Sequence, residues 1–116
     1  MRNTIEYRKY INGFKGNRTE FLLCNFDYRD GNDYLTGLFS ELFGFEITER
    51  FDGIWFYVVK IRLGTCVYEL LWHEDVGNCI YCAEQSEQNN VLLEERLNKV
   101  LEELNRRIEE HERGAQ

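Results

Sequence analysis

Residues 45–84 hold four stretches of alternating polarity, FEITERF, IWFYVVKIRL, CVYELLWHE and NCIYCAE, joined by connections of a few residues each. Parallel strands need a crossover of about a dozen residues or more, so these stretches can pair only as antiparallel hairpins. No other feature constrains the fold as tightly. Asp52-Gly53 is a strong hairpin turn, and Gly64-Thr65 turns the chain again. Alternation places Phe45, Ile47 and Phe51 on one face of the first stretch. It turns Trp55, Tyr57, Val59, Ile61 and Leu63 of the second inward, with Lys60 and Arg62 outward.

Upstream, EFLLCNFDY reads as a half-buried strand with Leu22, Cys24, Phe26 and Tyr28 on one side and Asn25 and Asp27 on the other. RDGND then turns into a helix capped by Asn32 or Asp33 and ended by Gly44 in the C′ position. Leu35, Leu38, Phe39 and Leu42 form its apolar stripe. Gly37 interrupts the stripe at up to ~1 kcal/mol relative to Ala, which points to close packing against a neighbour. From about Ser86 the period lengthens, and Leu93, Leu97, Val100, Leu101, Leu104 and Ile108 mark a long C-terminal helix. Glu95–Lys99, Glu102–Arg106 and Glu103–Arg107 are i, i+4 pairs on its outer face. The expected fold class is α+β, an antiparallel β-meander of about 4–5 strands packed against an internal helix and a long C-terminal helix. Residues 1–116 read as a single domain, with 1–18 a loosely docked basic segment, either edge strand or short helix.

The chain has 116 residues, 43% of them apolar, which is enough for one hydrophobic core and too much for a disordered segment. No apolar run approaches the ~20 residues that span a bilayer, and the N-terminus has no apolar signal region. The expected compartment is the cytoplasm, where the four cysteines stay reduced. The net charge is −7, which disfavours nucleic acid and anionic membranes as partners. It is unevenly spread: residues 1–26 carry +3, residues 27–86 carry −7 and residues 87–116 carry −3.

TCVYELLWHEDVGNCIYC, residues 65–82, contains three of the cysteines and a CxxC spacing. Ile80 and Tyr81 favour an extended strand, in which side chains three apart point to opposite faces. Cys79 and Cys82 then diverge, with Cα atoms ~10 Å apart at the usual rise, and neither a zinc site nor a disulfide is expected. A three-residue loop at Asp75-Val76-Gly77 would instead pair His73 with Cys79 and put Glu69 on the same face, a base, a nucleophile and a carboxylate together. Asp27, Asp30 and Asp33 read as turn and capping residues rather than calcium ligands. No Walker loop, GxGxxG, GxSxG or HExxH is present, so no cofactor and no metal are expected.

The favoured expectation is a non-enzymatic protein that binds a basic partner through solvent-facing Glu46, Glu49, Asp52, Glu69, His73, Glu74, Asp75 and Glu84. Carboxylates in that role stand in for nucleic-acid phosphates and steer fast association. The concrete form is an immunity protein that neutralises a nuclease-type toxin. The alternatives are a small enzyme using Glu69, His73 and Cys79, and a homodimer or other structural or regulatory assembly formed through the C-terminal helix.

Overall fold

Every strand-to-strand connection after Phe45 proves to be a hairpin, as its length requires. The computed structural model describes residues 4–114. In chain order these form β1 (Glu6–Asn12), a short 3-10 turn (Gly13–Lys15), β2 (Arg18–Cys24), α1 (Asp30–Phe43), β3 (Glu46–Asp52), β4 (Phe56–Leu63), β5 (Cys66–His73), β6 (Gly77–Cys82) and α2 (Glu87–Gly114). The strands make a single antiparallel sheet in the order β1-β2-β6-β5-β4-β3. The fold is α+β as expected, with six strands rather than four or five. The additional strand comes from the N-terminal segment, which pairs with β2 from Glu6–Cys24 to Asn12–Arg18. Residues 1–3 of that segment lie outside the described residues.

Strands β3 to β6 are the meander. β2 joins it on the far side of β6, through Phe21–Ile80 and Leu22–Cys79. Both helices cover one face of the sheet, where Phe21, Ile80, Leu70 and Val59 stand in register across four strands and are buried. Leu35, Leu38 and Phe39 of α1 and Leu93, Leu97, Val100, Leu101 and Leu104 of α2 close the core over them. Gly44 ends α1 in the left-handed conformation, its N–H donating to the Ser40 carbonyl at 2.8 Å. No helix among the described residues is long and apolar enough to cross a membrane.

Several inward and outward assignments change. Asn25 has a left-handed backbone (φ 67°) that ends β2, and the core-facing residues of that strand are Phe21 and Leu23 rather than Leu22 and Cys24. A bulge between Ile47 and Glu49 inverts the rest of β3, so Phe51 leaves the core side and stacks on Phe56 across the opposite face, ring centroids 5.4 Å apart. Trp55 lies in the β3–β4 tip, before β4 begins, and is 61% exposed. Helix α1 starts at Asp30, ahead of both expected caps. Asn32 is instead buried and donates from Nδ2 to the Leu70 carbonyl at 2.9 Å. Leu42 sits at the exposed edge of the α1 stripe. A Cβ on Gly37 would meet no atom within 4 Å, so the close neighbour its presence implied is absent among the described residues.

Candidate partner-binding surface

The β5–β6 hairpin organises one end of the molecule. Trp72 and Asn78 oppose each other across it and reach over the same segment of chain. The Trp72 indole donates to the Asp27 carbonyl at 2.9 Å, and Asn78 Nδ2 donates to the carbonyls of Phe26 and Tyr28 at 3.0 and 2.9 Å. These bonds clamp the β2–α1 loop against the hairpin. The approach is close enough that a Cβ on Gly77 would stand 2.8 Å from the Asp27 Cβ, and Gly77 itself has φ 98°. Both facts explain why glycine opens β6.

The β3–β4 tip joins the same end. The Glu74 N–H donates to the Trp55 carbonyl at 2.9 Å. Arg29, in the clamped loop, pairs with Asp52 and lies over the Tyr57 ring, 4.8 Å from its centroid. The Tyr57 hydroxyl donates to Asp33 in the first turn of α1 at 2.7 Å. Three segments distant in sequence thus form one surface carrying Asp27, Asp30, Asp33, Asp52, Glu74 and Asp75 against Arg29 and Arg50. Among the described residues, no cation pairs with Asp27, Asp30, Glu74 or Asp75. Between the carboxylates stand exposed Tyr28, Trp55 and Val76, and Ile54, which is 83% exposed. Carboxylates without a cation partner thus stand beside exposed aromatic and aliphatic side chains at this end.

The residues expected to bind a partner divide into three places. Asp52, His73, Glu74 and Asp75 belong to this acidic end. Glu46, Glu49 and Glu69 lie on the sheet face away from the helices. Two of these already have partners: Lys60 sits between Glu49 and Glu69, at 3.3 and 3.9 Å, and Tyr81 donates to Glu69 at 2.7 Å. Glu84 is at the opposite end of the sheet, lining a crevice with Thr65 and Cys66. Asp27, Asp30 and Asp33 had been read as turn and cap residues, and Ile54 and Trp55 as strand. Ile54 and Trp55 belong to the β3–β4 tip because the loop after Asp52-Gly53 runs on to Phe56, where β4 begins.

The cysteines scatter as strand geometry requires. Cys82 faces the helices and donates to the Asn89 carbonyl at 3.3 Å, whereas Cys79 faces away and donates to Glu20 Oε1 at 3.6 Å. The β5–β6 loop has three residues, Glu74–Val76, so His73 opposes Gly77 rather than Cys79. Glu69, His73 and Cys79 share a face, but Leu71 is the residue opposite Cys79. Burial, and then the Glu20 carboxylate, push the Cys79 thiol up to about 12, whereas a nucleophile needs the thiolate. His73 uses Nδ1 to accept the Asp75 N–H at 3.0 Å.

Glu20 is 2% exposed. It accepts from Tyr10, from Arg18 Nε at 2.7 Å and from Asn12 Nδ2 at 3.2 Å. Burial opposes its charge, but these donors prevail and its pKa is lowered. Arg18 also lies 3.5 Å over the Tyr81 ring, so a side chain of β2 covers part of its neighbour β6 on the face away from the helices. The C-terminal helix spends its apolar stripe in the core. Arg106 and Arg107 on its surface are held by Glu103, Glu110 and Glu41. Of the three expected pairs, Glu103–Arg107 forms (2.8 Å), while Arg106 bonds Glu103 and Glu110 instead of Glu102.

No protein-family model matches this chain, and neither the curated proteins nor the solved structures searched contain a match.

Proposed function

We propose that this protein is a non-enzymatic binding domain that engages a basic protein partner through its acidic end. The observation that carries the reading is the convergence of the clamped 25–30 loop, the β3–β4 tip and the β5–β6 tip. Together they join unpaired Asp27, Asp30, Glu74 and Asp75 to exposed Tyr28, Ile54 and Trp55. The carboxylates would steer a cationic partner, raising association from a neutral ~10⁵–10⁶ M⁻¹s⁻¹ toward ~10⁸ M⁻¹s⁻¹ at low salt. The aromatic and aliphatic tips would supply the desolvated contacts that hold it. The concrete form is an immunity protein that blocks a cationic enzyme such as a nuclease toxin, its carboxylates occupying the place of phosphates.

The alternative Cys–His enzyme is less well supported, because the Cys79 thiol is buried and hydrogen-bonded to a carboxylate. The homodimer through α2 is less well supported, because the stripe that suggested it is inside the core. The test is comparative capture from the native cell extract by the wild type and by Glu74→Lys/Asp75→Lys. Each recovered basic protein is then purified and titrated against both forms. The reading requires a one-to-one complex that the variant loses and that weakens with salt; a complex indifferent to both charge reversals refutes it.

A further inference from the structure

Three bonds fix the β5–β6 tip, and one of them depends on a proton. The Val76 N–H donates to the His73 carbonyl at 3.1 Å, and the Glu74 N–H donates to the Trp55 carbonyl at 2.9 Å. The third runs from the Asp75 N–H to Nδ1 of the His73 side chain, over 3.0 Å. A backbone N–H can only donate, so Nδ1 offers a lone pair and the ring carries its proton on Nε2. An imidazole that takes up a second proton is a donor at both nitrogens, and histidine makes that change between about pH 5 and 8. The bond to Asp75 therefore exists only while the ring is neutral. Across the sheet the ring is opposed by Phe56 and Gly77, neither of which titrates. It shares a cavity of about 150 Å³ with Tyr10, Lys15, Arg18, Glu20 and Cys79. Tyr10, Arg18 and Cys79 are all bonded to Glu20, which leaves Lys15 as the cation there without an ion pair among the described residues. Asp27 lies over Gly77, and Glu74 and Asp75 follow the ring in the chain.

We propose that His73 is the positioning residue of the acidic end, and that its protonation loosens the hold on a basic partner in mild acid. Neutral, the imidazole fixes the Asp75 peptide and with it the direction of the tip carboxylates. Protonated, it releases that peptide and sets a positive charge among Asp27, Glu74 and Asp75. Both changes weaken the attraction for a cationic surface. The other two bonds of the tip run between backbone groups, so the hairpin stays folded and only the Asp75 peptide is freed. This inference rests on the reading of the acidic end as the site for a basic partner, and it adds how that site is regulated.

The test follows the full chain, ¹⁵N-labelled, by NMR from about pH 8 to about pH 5.5 at low salt, with acetyl-pentalysine-amide as the basic probe. The protection factor of the Asp75 amide should fall with the same midpoint as the His73 ring nitrogens, while those of Glu74 and Val76 hold. The probe should shift resonances of residues 27–30 and 74–76 at the upper pH and bind several-fold more weakly at the lower. His73→Asn supplies an oxygen that accepts the same N–H, as in an Asx-turn, and does not titrate. It should keep the Asp75 bond and the binding across the whole range, whereas His73→Phe should weaken the probe already at the upper pH. A merely structural histidine would not give that split. Unchanged Asp75 protection while the ring titrates, or equal acid weakening in wild type and His73→Asn, overturns the switch and leaves the acidic end standing. If Asp75 follows the ring but the probe shifts nothing at the acidic end at either pH, the acidic end fails and its regulation with it.

Discussion

Replacing Glu20 by alanine probes the bond network that ties the β1–β2 hairpin together and reaches β6 through Cys79. The carboxylate is 3% exposed and its Arg18 partner 19%, with 2.6 Å between them. Removing one member of a buried ion pair destabilises by about 3–5 kcal/mol, because the other charge is left unpaired. Arg18 keeps some access to water, which lowers the expectation to about 2–4 kcal/mol. For a chain of this length that is a fall in Tm of roughly 8–20 °C. Urea unfolding at pH 7 should show the midpoint falling with an unchanged slope. Arg18→Leu/Glu20→Leu should lose less than Glu20→Ala, since no charge is stranded. The pH dependence follows from the lowered pKa of Glu20. Its stabilisation is fully present above the unfolded value of 4.5 and is lost as pH falls through the lower folded value, so Glu20→Ala should flatten the acid limb of the stability curve. A loss under about 0.5 kcal/mol, the scatter of ordinary surface changes, or an unaltered acid limb, would show that the network does not hold the hairpin.

Three further outcomes follow from the site. Trp55→Ala should leave urea stability within about 0.5 kcal/mol, because the side chain is largely in solvent, yet weaken partner binding at least ~10-fold in a calorimetric titration. Gly77→Ala should destabilise by about 2–3 kcal/mol, since φ 98° and the 2.8 Å approach to Asp27 both exclude a side chain. Its amide-exchange protection should fall first at residues 26–28. At pH 8, Cys79 should resist a disulfide-exchange reagent in the native state and react only as the protein unfolds, followed by peptide mass mapping; labelling at the speed of an unfolded thiol would contradict its buried bond to Glu20.

Local pattern carried the fold a long way. Short connections and alternation placed the β3–β6 meander, and the 3.6-residue period placed α2 with the stripe it buries. What the pattern could not carry was pairing between distant segments. Nothing in EYRKYIN says that it pairs with RTEFLLC, nor that RTEFLLC lies beside β6. The local pattern therefore gives no sign that Glu20, in β2, is buried among Tyr10, Asn12 and Arg18 of the same β1–β2 hairpin. One bulge residue, Thr48, sufficed to move Phe51 to the other face. The acidic hairpin tip at Glu74 and Asp75 was readable, but its union with Asp27 and Asp30 depends on Trp72 and Asn78 reaching across about fifty positions of sequence. That union is a tertiary event, and a local reading assigned those aspartates to turns.

The central claim, that the acidic end receives a basic protein, is tested most directly by hydrogen exchange on the purified complex against the free chain. The account predicts slowed exchange at residues 26–34, 52–56 and 73–77, with the protection diminishing as salt is raised. Protection confined to the outer face of α2 or to the β1 edge, and insensitive to salt, would contradict it.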